Sequence, residues 1–142
     1  MARTYIAAVP TNETIVDIVE FCTHSRIWAS DFNRPHTTII FSKNNPAGAL
    51  HLPKHQFPII GENPKLVTFD TKDHGLCLVI KFDSPEIYRI HNELMAQYGF
   101  TIDYEFTPHI TLSRNIKKPV TDRRIDDLSL QFKKIFVRHR ER

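Results

Sequence analysis

A chain of 142 residues, 41% of them hydrophobic, is the size of one domain spanning 1–142 with a single substantial core, and a second independent domain is not expected. Lys and Arg number 19 against 16 Asp and Glu, and the charge of +3 favours an anionic ligand only mildly and argues against a stable duplex nucleic acid partner, whose phosphates demand a more basic surface. Cys22 and Cys77 are too few for a disulfide scaffold, and neither a bilayer-length apolar window nor a basic-then-apolar leader is visible, so a soluble cytoplasmic protein with free thiols and no membrane partner is expected.

In chain order, Thr4 to Val9 reads as a strand, and Pro10-Thr11-Asn12 breaks it with an N-cap for a helix in which Ile15, Ile18, Val19 and Cys22 recur at helical spacing. After an irregular stretch, His36 to about Ser42 reads as a strand, with Pro35 ahead of it where an amide donor is dispensable. Asn44 to Pro64 is rich in Pro and Asn and reads as a long loop holding a short edge strand near Phe57 to Ile60. Lys65 to Phe69 is expected to pair with the apolar strand Leu76 to Phe82 through the turn Asp70 to Gly75. Ser84-Pro85-Glu86 then starts a second helix whose stripe is Ile87, Ile90, Leu94, Met95 and Tyr98, and Gly99 ends it. His109 to about Ser113 and Leu128 to Val137 are the last strands. The order strand, helix, strand thus occurs twice. The expected fold is α+β: two pseudo-symmetric lobes, two small antiparallel sheets with helices outside and a ligand cleft between.

The repeat carries a repeated phrase. Pro35-His36-Thr37-Thr38 and Pro108-His109-Ile110-Thr111 each place a His-x-Thr at a strand start. Residues i and i+2 of a strand share a face, so His36 joins Thr38 and His109 joins Thr111, while Thr37, Ile39, Ile110 and Leu112 turn away to pack. If the two strands meet, one site holds two imidazoles and two hydroxyls. That set supplies a proton acceptor, a proton donor and phosphate-holding groups, which acid–base cleavage of a phosphodiester requires. A lone His-x-Thr arises often by chance, whereas two copies at matching places are a stronger signal.

These motifs resemble the 2H phosphoesterase superfamily, whose members carry two His-x-(Thr/Ser) motifs on a bilobal fold. The stretch Asp103-Tyr104-Glu105-Phe106-Thr107-Pro108-His109-Ile110-Thr111-Leu112-Ser113 is similar to the second motif of bacteriophage anti-CBASS phosphodiesterases, enzymes that destroy cyclic oligonucleotide alarm signals. The resemblance implies His36 and His109 as the acid–base pair, without saying which is which, and Thr38 and Thr111 as phosphate holders. It also implies a cyclic di- or trinucleotide substrate such as cyclic GMP-AMP, attack by the ribose 2′-hydroxyl, and no metal or other cofactor.

Other residues are weaker. The same resemblance, which places an aromatic at the matching point of the first strand, implies Tyr5 as the foremost candidate for stacking a base, against a core or edge tyrosine. Phe69 and Trp28 stand behind it, and Glu141 near the C-terminus is a candidate reader of an exocyclic amine. His51 and His55 have a metal-like spacing, but Pro53 between them opposes a helix and no further ligand pair is evident. His24, His74, His91 and His139 are expected in surface or capping roles, and Asp103 and Glu105 either orient an imidazole or remain solvated. Two other functions fit the same residues: a 2H phosphodiesterase acting on 2′,3′-cyclic phosphates or RNA ends, and a sponge that binds a cyclic nucleotide without cutting it. The sequence sets no base preference and no oligomeric state.

Overall fold

The computed structural model describes residues 3–46 and 49–140. Strand β1 (Arg3–Pro10) buries Thr4, Ile6 and Ala8, and helix α1 (Asn12–His24) follows. Thr11 caps α1 by accepting the Thr14 amide at 3.2 Å. The helix buries Thr14, Ile18 and Cys22, one residue per turn, and leaves Val19 at 47% exposure. Strand β2 (Thr37–Ser42) returns antiparallel to β1.

The second half repeats this plan. Strand β3 (Ile59–Thr71) leads into β4 (Gly75–Asp83), then helix α2 (Pro85–Tyr98), then β5 (His109–Ser113), antiparallel to β4. Ser84 caps α2 through the Ile87 amide, Pro85 occupies its first turn, and Gly99 ends it in the left-handed conformation at φ 61°. A two-residue strand, β6 (Arg123–Arg124), and the long β7 (Leu130–Arg140) complete the fold. The α+β class with antiparallel pairing and two helices is as expected.

The sheets differ from expectation. Instead of two small sheets, the strands form one path, β2-β1-β7-β3-β4-β5, with β6 also on β3. Strand β3 makes the join, because Ile59 to Gly61 pair with β7 and Lys65 to Thr71 pair with β4. The segment expected as an edge strand near Phe57 to Ile60 is therefore the start of an internal strand. Asn63 and Pro64 do not end it; they fall at a register shift, where the ladder spares an amide donor. Gly61 is required there, since a Cβ would stand 2.7 Å from the Phe82 ring, which stacks on Phe132 at 5.5 Å.

The ladders of the two halves share an irregularity. Ile6 pairs with Ile40 but Ala7 with Thr38, and Leu78 pairs with Ser113 but Val79 with Thr111. Ile39 and Leu112, each directly after a motif threonine, are therefore bulged and unpaired. Both are fully buried. Their carbonyls are still satisfied, Ile39 O by the Nδ1–H of His91 at 2.8 Å and Leu112 O by the Asp31 amide at 2.9 Å. Bulges bend a strand and re-aim its side chains, and here one follows each His-x-Thr.

Cys22 and Cys77 are buried free thiols. Among the described residues no helix is long and apolar enough to cross a membrane.

Candidate functional site

His36 stands at the entrance to β2 and His109 opens β5. Each places its Nδ1 2.7 Å from the carbonyl two residues earlier, Arg34 O for His36 and Thr107 O for His109. A carbonyl only accepts, so Nδ1 carries the hydrogen and Nε2 of the neutral ring is left as the reactive nitrogen. His55 makes the same turn with Pro53 O. His55 also meets a ring edge-on, Phe57 at 4.8 Å, so what sets the motif histidines apart is the threonine two residues on in each strand and the bond that joins the two motifs.

An aromatic ring meets each motif histidine edge-on, Tyr5 against His36 at 5.8 Å and Phe69 against His109 at 4.9 Å. The Tyr5 hydroxyl also lies in hydrogen-bond contact with Thr38 Oγ1 at 3.0 Å, so Tyr5 touches both His36 and Thr38 of the first motif. Thr111 pairs with Val79 and His109 with Lys81, on the opposite face of β5 from buried Ile110 and Leu112.

Although β2 and β5 close the two ends of the strand order, they come together at the motifs, where the His109 amide donates to Thr37 Oγ1 at 3.2 Å. Thr37 is fully buried, as its alternation predicts, but it also bonds across the motifs. Burial is the main cause that lowers the His109 pKa below the usual histidine value. The Nδ1 bond to Thr107 opposes this, while the charges of His36 and Arg114 push further down. His109 is thus held neutral, with Nε2 as a proton acceptor.

The loop before β5 ties the motifs together. Asp103 pairs with Lys43 at 3.0 Å, which draws its carboxyl below the usual range and takes it away from the imidazoles. The Tyr104 hydroxyl accepts the Phe41 amide of β2 at 2.9 Å. Phe106 stacks flat on His91, centroids 3.8 Å apart and planes 3° apart. His91 is therefore not a surface residue: it is 6% exposed, and burial lowers its pKa.

The structure brings together Tyr5, His36 and Thr38 on one side and Phe69, His109 and Thr111 on the other. Trp28 is 86% exposed, on a loop whose carbonyl accepts from Ser113 Oγ. Glu141 lies outside the described residues. Sequence reasoning missed the roles of Thr37, Tyr104, His91 and Phe106; for His91 a signal existed, since it lies four residues after Ile87 and three before Leu94 on the buried stripe. Among the described residues no three His, Cys, Asp or Glu side chains converge as metal donors. A concavity of about 610 Å³ beside Leu52, His55 and Glu86 contains neither motif, so chemistry rather than hollow volume selects this site.

A family model described as anti-CBASS protein Acb1 matches residues 2–139. The chain belongs to the anti-CBASS protein Acb1 family. Membership places it among proteins that evade CBASS immunity, and the matched span includes both His-x-Thr motifs, Tyr5 and Phe69.

Proposed function

We propose that this member of the Acb1 family is a phosphodiesterase of the 2H type that opens cyclic oligonucleotides at a 3′–5′ bond, with the ligand cleft between the two motifs. The observation that carries the reading is the duplicated geometry, two imidazoles with the same tautomer, each beside a threonine and an aromatic ring and joined through Thr37 and the His109 amide. Neutral His109 takes the proton of the ribose 2′-hydroxyl through Nε2. The freed O2′ attacks phosphorus in line, the bond from phosphorus to O5′ breaks, and His36, entering this step as the imidazolium with Nδ1–H still on Arg34 O, gives its Nε2 proton to O5′ and is left neutral. The product is a linear chain ending in a 2′,3′-cyclic phosphate, which water opens with the proton transfers reversed. Thr38 and Thr111 donate to the phosphate oxygens as charge builds there.

The 2′-hydroxyl supplies the nucleophile, so no metal-bound hydroxide is needed. Purified protein is incubated with cyclic di- and trinucleotides in EDTA and the products are resolved by mass. Ring opening of the ribonucleotide but not of its 2′-deoxy counterpart is expected. Binding without cleavage of either ring would make the protein a sponge. Indifference to rings with turnover of 2′,3′-cyclic phosphate ends would make RNA termini the substrate.

A further inference from the structure

The face that carries Tyr5 holds more than the first motif. Arg3 and Tyr5 are two apart in β1 and share a side, and Tyr5 pairs across the sheet with Phe41 in β2 and Arg138 in β7. Tyr5 meets the rings of Phe41 and Phe136, each at 5.8 Å. On this cluster lie two guanidinium groups, Arg3 at 5.7 Å from the Phe41 centroid and Arg138 at 5.5 Å from the Phe136 centroid. Two cations thus flank the ring that touches His36.

Among the described residues none takes up their donors. Arg89 is held by Glu86, Glu93 and the Lys54 carbonyl, and Arg114 by Asp31. Among the described residues, no carboxylate or other hydrogen-bond acceptor meets Arg3 or Arg138, and Arg3 Nε is the one buried side-chain nitrogen or oxygen left without a partner. An unpaired buried donor on a cation is costly, and a fold tolerates it where a ligand completes the site. A guanidinium lying on an aromatic ring is fixed in plane while its N–H edge stays available.

We infer that Arg3 and Arg138 form a guanidinium clamp around Tyr5 that receives an acceptor-only part of the ligand. Resting on the cyclic oligonucleotide reading above, that part is either the oxygens of the phosphate that is not being cleaved or the O6 and N7 edge of a guanine stacked on Tyr5. Arginine has donors and no acceptor, so both groups suit it, whereas the corresponding edge of adenine presents N6–H₂ and repels one of the donors. The clamp is a binding element, separate in role from the imidazoles.

The test measures binding of the 2′-deoxy forms of cyclic di-GMP and cyclic di-AMP to wild type, Arg3→Gln and Arg138→Gln. Unfolding midpoints are recorded in parallel, and Arg138, whose side chain is exposed, carries the test if Arg3→Gln is unstable. Each substitution is expected to weaken binding about tenfold or more, the scale of a charge-assisted hydrogen bond. Equal loss on both rings identifies phosphate as the clamped group, and loss confined to the guanine ring identifies the base edge. Wild-type affinity of both folded variants for both rings would overturn the clamp. If wild type itself binds neither ring, the proposed function fails instead.

Discussion

The main-chain amide of His109 donates to the hydroxyl of Thr37 across 3.2 Å, so the middle residue of one motif holds the first residue of the other. Thr37→Val keeps the shape and leaves the amide without an acceptor, at a cost of about 1–3 kcal/mol. Turnover is expected to fall about tenfold as His109 loses its placement, since small misplacements of a catalytic group are costly. Thr37→Ser retains the hydroxyl and both properties. Denaturant unfolding and kcat for the two variants check this, and wild-type turnover in Thr37→Val would remove the positioning role.

Burial is the chief cause that lowers the His109 pKa, and protonating it would abolish the general-base role proposed for it. The acid limb of kcat/KM should therefore have its midpoint below about 6.5, the ordinary histidine value. Phe69 covers the imidazole edge at 4.9 Å. Phe69→Ala admits water, favours the cation and moves the limb up in pH. A midpoint unmoved by that substitution would show that Phe69 does not tune His109.

His36→Ala and His109→Ala should each lose at least about two orders of magnitude in kcat while still binding ligand, the scale of a general acid or base. Single-turnover rates alongside equilibrium binding separate the two effects. Near-normal turnover in either variant sinks the acid–base assignment.

Tyr5 has two separable contributions. Its ring offers a stacking surface, and its hydroxyl contacts Thr38 at 3.0 Å. Tyr5→Ala should weaken ligand binding by about 1–3 kcal/mol, one base–aromatic stack. Tyr5→Phe should bind normally yet turn over several-fold more slowly, because Thr38 loses a neighbour that orients its hydroxyl. Equal kcat in Tyr5→Phe and wild type would assign Tyr5 to binding alone.

The legible parts of this fold are those that local chemistry sets. Thr11, Ser84, Pro85 and Gly99 mark helix ends because caps and turns are read from single residues, and all four act as expected. Asn63 and Pro64 misled because the same residues that end a strand also serve a register shift within one, and only the partner strand decides between them. The bulges at Ile39 and Leu112 are invisible in sequence, since a bulged isoleucine or leucine has the same alternation signal as a paired one. The two histidines and two threonines of the candidate site were legible through the repeat, whereas Tyr5 rested on the family resemblance and Phe69 was a weaker stacking candidate. The bonds that hold the motifs, from the His109 amide to Thr37 and from His91 to Ile39 O, were not legible, because the partners lie 72 and 52 residues apart in the chain, even though the burial of His91 could be read from its place on the helix stripe.

His91 yields the last prediction. Its Nδ1–H satisfies the carbonyl of bulged Ile39 while its ring stacks on Phe106, which leads into the second motif. Burial lowers its pKa in the folded chain, so the unfolded chain binds the proton more tightly. Its contribution to stability is therefore fully present above about 6.5, the unfolded value, and is lost as pH falls through the lower folded value. His91→Phe keeps an aromatic ring against Phe106, leaves Ile39 O unpaired, and should cost about 1–3 kcal/mol at neutral pH. Because the variant has nothing to titrate at this position, the stability gap between it and wild type should narrow as pH drops below neutrality. Urea unfolding of both proteins from pH 8 down to pH 5 measures the gap, and one that stays constant with pH would show that His91 does not enter the fold as the neutral ring.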